Sequence, residues 1–249
     1  MKLTIITVSF NSACTINDSL QSVAAQTYTH IEHIVVDGGS SDGTMEVVKQ
    51  FSHVSTMISE KDEGIYHAMN KGLSMATGDI IGILNADDQY ADQHVIQKVM
   101  DAFENPDIEA VYGNLVFVDP ADTSRIVRRW HSSPHQPQDF YYGWMPPHPT
   151  FFVRKRIYEK YGHFDTRLKS AADYELMLRF LLKYSIQSQH IPHILIHMRN
   201  GGKSTASLRN RLVANKEDRE AWKMNGLKPH FFTLILKPLR KLNQFFFNG

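Results

Sequence analysis

The first hundred residues alternate near-continuous apolar blocks with amphipathic ones. They run "KLTIITVSF" (2–10), a helix beginning near Thr15, "IEHIVVD" (31–37), a helix over Thr44 to Phe51, and "STMIS" (55–59). A helix over Ile65 to Ala76, "DIIGILN" (79–85) and a helix from Asp92 to Phe103 follow. Strands that are apolar on both faces must be covered on both faces, and the helices between them supply the cover. The pattern therefore predicts an α/β fold with a parallel sheet. Such a sheet binds its ligands beyond the carboxyl ends of its strands. Those ends carry Ser9 and Asn11, then Asp37, then Glu60 to Asp62, then Asp87 and Asp88. Four strand ends deliver polar or acidic groups to one rim.

The rest of the chain reads as a strand "AVYGNLVFVD" (110–119), its partner "SRIVRRW" (124–130), and the Pro- and aromatic-rich "SSPHQPQDFYYGWMPPHPTFF" (132–152). Prolines that punctuate aromatics predict a shaped loop. A helix over Ala171 to Tyr184, a strand "SIQSQHIPHILIHM" (185–198) and a flexible Gly-rich "RNGGKST" (199–205) complete the pattern. With 27 Lys and Arg against 26 Asp and Glu, the charge balance argues against a nucleic-acid partner. The charge is uneven: residues 203–249 carry a net +7, which leaves −6 for residues 1–202.

Cys14 is the single cysteine, so no internal disulfide forms, and a reducing compartment fits. No stretch approaches the roughly 18 consecutive apolar residues of a spanning helix. The expectation is a cytoplasmic protein whose membrane contact is peripheral, at the inner face of the cytoplasmic membrane. The segment for that contact is 229–247, within "KPHFFTLILKPLRKLNQFFFNG", which is aromatic, basic and free of acids. It can pack on the body, or lie apolar face down on an anionic membrane.

Asp87 and Asp88 raise each other's pKa unless a cation sits beside them. Hard oxygen ligands at a strand end suit Mg²⁺ or Mn²⁺, which take one or two carboxylates and fill their other positions with phosphate and water. A helix cap is the alternative, although Asp92 is better placed for it. Asp37, at the last apolar step of a central strand, can accept hydrogen bonds from a ligand. In "SEKDEGIYHAMNKGLSMATGD" (59–79), Ile65, Met69, Leu73 and Ala76 form the packing face of a helix. Asn70, Lys71 and Gly72 are unexplained by that face, and a helical Gly costs about 1 kcal/mol relative to Ala, so something approaches closely. Neither the dinucleotide G-x-G-x-x-G nor the P-loop spacing occurs.

"TVSFN", "VVDGGSSDGT", "DEGIYHAMNKG", "LNADD", "PPHPTFF" and "AADYELMLRF" occur in one order and spacing. Over residues 1–205 the chain thereby resembles the family 2 glycosyltransferases, in particular the bacterial members that build surface polysaccharides. The resemblance implies a GT-A fold: a Rossmann-like, mostly parallel sheet with helices on both faces. Here a nucleotide-sugar-binding half (1–104) and an acceptor half (105–205) precede a C-terminal helical extension (206–249). It implies inverting transfer of one sugar from a nucleoside-diphosphate-sugar, UDP ahead of GDP or dTDP, to a glycan or lipid-linked glycan acceptor. The Q-x-x-R-W motif of processive members is absent.

Carried over, the resemblance implies that Thr7, Ser9, Asn11 and Asp37 line the nucleotide pocket, and that Asp62 with Asn70 to Gly72 completes the donor site. Asp87 would lie near the ribose and diphosphate, and Asp88 would hold Mn²⁺ or Mg²⁺. Asp173 matches the catalytic base, His148 falls on the acceptor side, and "RNGGKST" matches a mobile loop over the donor. The family often shows an acid pair at the base, whereas Ala172 and Tyr174 flank Asp173, so that role rests on one acid. Inverting transfer needs one carboxylate to take the acceptor's proton. By position alone Asp173 could equally be a helix N-terminal acid stabilised by the dipole. Two rival functions are a sugar nucleotidyltransferase and a non-catalytic nucleotide- or glycan-binding module. The first should carry a Gly-rich, basic loop after its first strand, which "SFNSACTIN" lacks; the second has no need to keep Asp37, Asp88 and Asp173 together.

Overall fold

The structure, a computed structural model, describes residues 1–201 and 208–242. Strands β1 (Leu3–Ser9), β2 (Ile31–Asp37), β3 (Val54–Ser59) and β4 (Ile80–Asn85) pair in parallel in the order β3-β2-β1-β4. Helices α1 (Ile16–Ala24), α2 (Thr44–Val48) and α3 (Ile65–Met75) make the crossovers. All seven residues of β1 are buried, as a strand covered on both faces requires. Register then aligns the carboxyl ends: Ser9 lies beside Asp37, Asp37 beside Ser59, and Val8 beside Asn85. The four strand ends that the sequence brings to one rim are neighbours in space.

The sheet is mixed beyond β4. Strand β5 (Asp88–Tyr90) pairs antiparallel with β9 (Ser188–Arg199), and β9 runs parallel to β6 (Ala110–Val118). Strand β7 (Ile126–Trp130) is antiparallel to β6, while β8 (Phe152–Arg154) bridges β4 and β6 antiparallel to both. Strands of three residues carry no readable periodicity, so β5 and β8 escape the sequence pattern. Helix α4 (Val95–Ala102) starts later than expected, with His94 at its N-cap; Asp92 instead accepts a 2.7 Å bond from the His94 N–H in the preceding turn. Helix α5 (Lys155–Tyr161) was not legible in the sequence. Helix α6 (Ala172–Met177) continues as a π-helical segment over Leu178–Lys183 and covers the helix expected there.

Helices α7 (Leu208–Met224) and α8 (Thr233–Leu242) close the chain against the body. Ala221 and Trp222 are fully buried in the same apolar cluster as Tyr112, Phe140 and Tyr174, and Leu234 packs against it. Gly143, at φ 77°, lets α8 approach, since a Cβ there would lie 2.5 Å from the Lys237 backbone nitrogen. The other face of α8 points outward, with Phe231 just ahead of it and Ile235 and Leu239 on it all exposed. Residues 202–205 of the predicted flexible loop and 243–247 of the predicted membrane segment lie outside the described residues. No described helix is long and apolar enough to cross a membrane.

Candidate active site

Most of the polar side chains at the rim engage one another. The Asp37 carboxylate, fully buried, accepts five hydrogen bonds: from Ser9 Oγ (2.9 Å), Ser59 Oγ (2.7 Å), Ser40 Oγ, and the backbone N–H groups of Gly39 (3.1 Å) and Ser40 (2.8 Å). Burial opposes its charge, but the bonds from Ser40, Ser59 and Ser9 outweigh burial and hold the carboxyl below its usual range. Asn11, in the left-handed region at φ 49°, accepts a 3.1 Å bond from Ser41 N–H and laces the loop after β1 to the loop after β2. Ser12 and Ala13 donate to Thr44 and Asp42 in the same seam.

Thr7 sits two residues short of the strand end and turns inward. Its hydroxyl lies 2.9 Å from His33 Nε2, and His33 Nδ1 lies 3.1 Å from His53 Nε2. Burial, then the neighbouring His53, drive the His33 pKa down to about 3, so this internal pair is uncharged near neutrality. The groups that do line the rim include one with no place among the expected residues: Phe10, with half its surface exposed (51%). Gly38 lies between Phe10 and Asp62, where an added Cβ would meet Asp62 Oδ2 at 3.0 Å and the Phe10 ring at 3.4 Å. Asp62 is half-buried and accepts a 2.9 Å bond from Gly64 N–H, which shapes the entry to α3.

The two adjacent acids occupy different environments. Asp88 is wholly buried, and its pKa is pushed well up, by burial first and then by the charge of Asp87. Its Oδ2 accepts a 2.9 Å bond from Asn85 Nδ2, while Oδ1 and the Asn85 side-chain oxygen Oδ1 have no hydrogen-bond partner among the described residues. Asp87, in the turn between β4 and β5, keeps its side chain partly in solvent. Arg199 at the end of β9 fixes that turn by donating to the Asp87 carbonyl (3.1 Å) and pairing with Asp18 of α1. No group of three His, Cys, Asp or Glu among the described residues could hold a metal. The partly exposed Asp87 carboxylate fits a cation that draws its remaining ligands from phosphate and water, and the unpartnered Asp88 Oδ1 and Asn85 Oδ1 lie buried next to it in the chain.

Two residues expected to touch the donor are occupied within the fold. Asn70 pairs with the backbone of Phe164 in both directions, donating to its carbonyl at 2.9 Å and accepting from its N–H at 3.0 Å. At Gly72 a Cβ would fall 2.4 Å from Ile6 Cγ2, so the close approach that the helical glycine signals is that of β1. Lys71 pairs with Glu60 at 2.9 Å.

Asp173, in the first turn of α6, is half-buried, and its Oδ1 accepts a 2.9 Å bond from the Tyr66 hydroxyl. Burial and the nearby Asp173 raise the Tyr66 pKa well above that of a free phenol, so the phenol keeps its proton and donates it. Tyr66 stacks on Phe164 at 5.6 Å, and His148 meets the same ring edge-on at 5.7 Å. The His148 pKa is lowered by burial, against a smaller opposing effect of the Asp173 charge. Tyr66, Asp173 and His148 therefore gather around Phe164, whose position Asn70 holds. Tyr66 lies within "DEGIYHAMNKG", where that motif could have pointed to it; Phe164 carries no such signal.

Comparisons with known proteins bear on this geometry. Two curated relatives are uncharacterized glycosyltransferases. One, from Nostoc sp., is 31% identical over 126 residues, spanning 49% of this chain and 39% of that protein. The other, from Mycobacterium tuberculosis, is 31% identical over 191 residues, spanning 72% and 69%. Among solved structures, S. aureus TarS 1-349 in complex with UDP-GlcNAc superposes with a TM-score of 0.70 at 16% identity, covering 90% of this chain and 65% of that one. The mannosyltransferase PcManGT from Pyrobaculum calidifontis, in complex with GDP-Man and Mn²⁺, gives 0.67 at 19%, covering 94% and 68%. The fold is thus GT-A. With the model of the glycosyl transferase family 2 matching residues 4–166, across the rim and as far as the Phe164 hub, this chain belongs to that family.

Proposed function

We propose that the chain transfers a single sugar from a nucleoside-diphosphate-sugar to a hydroxyl of a glycan acceptor, with inversion at the anomeric carbon. The observation that carries this reading is the bond between Tyr66 and Asp173. Tyr66, in the first turn of α3, follows Asp62 by four residues, so the bond ties a half-buried carboxylate of the acceptor half to the donor rim. Asp173 takes the proton of the acceptor hydroxyl as that oxygen bonds to the anomeric carbon. The bond to the diphosphate oxygen breaks with its electron pair, and the nucleoside diphosphate leaves. Tyr66 orients the base, and neutral His148 borders the acceptor's approach. Phe10, Gly38 and Asp62 form the base-binding side of the rim, braced from beneath by Ser9, Asn11 and Asp37.

In this reading Asp87, rather than Asp88, is the cation's ligand, because a cation that arrives with a diphosphate needs an oxygen it can reach. A divalent ion, Mn²⁺ or Mg²⁺, would there offset the charge on the departing diphosphate. The Mn²⁺ in the PcManGT complex supports a divalent ion, and the UDP-GlcNAc in the TarS complex makes UDP the first nucleotide to test. The acceptor we propose is a lipid-linked glycan of surface polysaccharide synthesis, met at the inner face of the cytoplasmic membrane. The outward row of Phe231, Ile235 and Leu239, flanked by exposed Lys228 and Arg240, supports that placement.

The test is release of nucleoside diphosphate from a panel of UDP-, GDP- and dTDP-sugars, with Mn²⁺ and polyprenyl-diphosphate-linked saccharides present. Turnover of one donor that Asp173→Asn abolishes, while donor binding persists, is the expected result. No release from any donor would end the enzyme reading; undiminished turnover in Asp173→Asn would remove the base.

A further inference from the structure

Asp173 is held by more than Tyr66. Glu217 of α7 reaches back to the loop before α6 and accepts bonds from two consecutive backbone N–H groups, Lys169 (3.1 Å, to Oε1) and Ser170 (2.7 Å, to Oε2). Helix α6 has no side-chain cap of its own; Ala171 occupies its N-cap. On the far side of Asp173, Trp222 Nε1 donates to the Tyr174 hydroxyl at 2.9 Å, and Asn225 donates to Glu175 Oε1 at 3.1 Å. The Lys237 ammonium lies 3.4 Å over the Tyr174 ring and 2.7 Å from Asp218. Residues 169, 170, 174 and 175 are therefore gripped from α7 and α8, and Asp173 stands between them.

We propose that Glu217 is a positioning residue for the transfer reaction, and that α7 thereby belongs to the catalytic apparatus. The inference rests on Asp173 being the base. Without Glu217 the two amides lose their shared acceptor, the loop before α6 relaxes, and Asp173 drifts from the line of the acceptor hydroxyl. Displacement of a reacting group by about 1 Å can cost on the order of 100-fold in rate. The bond to Tyr66 does not compensate, because it fixes one carboxylate oxygen and leaves the N–H groups of Lys169 and Ser170 without their acceptor.

The experiment compares the full chain with Glu217→Ala and Glu217→Gln, using whichever UDP-, GDP- or dTDP-sugar the unmodified chain turns over, with Mn²⁺ present. The expected result is a fall in kcat on the order of 10- to 100-fold in Glu217→Ala, with donor KM unchanged. Glu217→Gln, which keeps one acceptor oxygen, should fall between. A structural role alone would lower the melting temperature and the active fraction while leaving kcat per folded molecule at the unmodified value, and that outcome overturns the proposal. If Glu217→Ala does not fold, Glu217→Gln, which loses one of the two acceptor oxygens, is read the same way. Should Asp173→Asn prove fully active, the base reading fails first and this one with it. An inactive Asp173→Asn beside a normal Glu217→Ala overturns this one alone.

Discussion

Two neighbouring carboxyls can have the same chemistry in a sequence and different chemistry in a fold. Asp88 is enclosed and drawn toward the neutral acid, while Asp87 stays in reach of solvent. The difference predicts opposite behaviour for one substitution. Asp88→Asn replaces a carboxyl with a neutral group of the same shape and should change stability by no more than about 1 kcal/mol, with Mn²⁺-dependent UDP binding intact. Asp87→Asn should weaken that binding by at least the ~10- to 100-fold that loss of a supporting partner of a metal ligand costs. Calorimetry of UDP binding with and without Mn²⁺ reads both, and loss of the metal effect in Asp88→Asn alone would reverse the roles. Asp37 shows the same lesson from the other side: an acid that reads as a ligand contact is filled by five donors of its own chain.

Helix α3 does two jobs from one stretch of sequence. Its packing face carries Met69 and Leu73, while Gly72 brings its backbone against Ile6 of β1 and Asn70 clamps the backbone of Phe164. Gly72→Ala should be destabilising despite the better helix propensity of alanine. The new methyl meets Ile6 Cγ2 at 2.4 Å, and overpacking of this kind costs about 1–3 kcal/mol against a propensity gain of about 1 kcal/mol. Urea unfolding would show a lower midpoint at unchanged slope; an equal or higher midpoint would mean that β1 yields without cost. The element was legible from its period of apolar residues. The identity of its close neighbour was not, because Ile6 is 66 residues away in sequence.

At the scale of the molecule, the C-terminal helices both complete the core and face outward. Trp222 is fully enclosed, and Lys237 is pinned between Asp218 and Tyr174, whereas Phe231, Ile235 and Leu239 are exposed at spacings of four. Changing Phe231→Ser, Ile235→Ser and Leu239→Ser together removes mainly exposed apolar surface. Sedimentation with phosphatidylglycerol-containing vesicles should fall several-fold, and stability should change by no more than about 0.5 kcal/mol per exposed site. Unaltered sedimentation would leave the row a plain surface. The packing and membrane readings of this segment are compatible because a helix has two faces, and here one of them is occupied.

The alternation of apolar strands with amphipathic helices, and the order of the six motifs, determined the α/β class, the family and the rim of strand ends, since these depend on local periodicity and short-range spacing. Only the tertiary structure decided which polar groups hold one another. Ser9, Asn11, Asp37 and Asn70 share residue types with ligand-binding groups, but register and loop packing set them against the chain itself. Tyr66 reaches Asp173 across 107 residues, and Glu217 reaches the loop before α6 across 47, distances over which no sequence pattern specifies contact. A hydrogen bond between residues far apart in sequence is chosen by geometry in three dimensions, which the order of residues along the chain does not show.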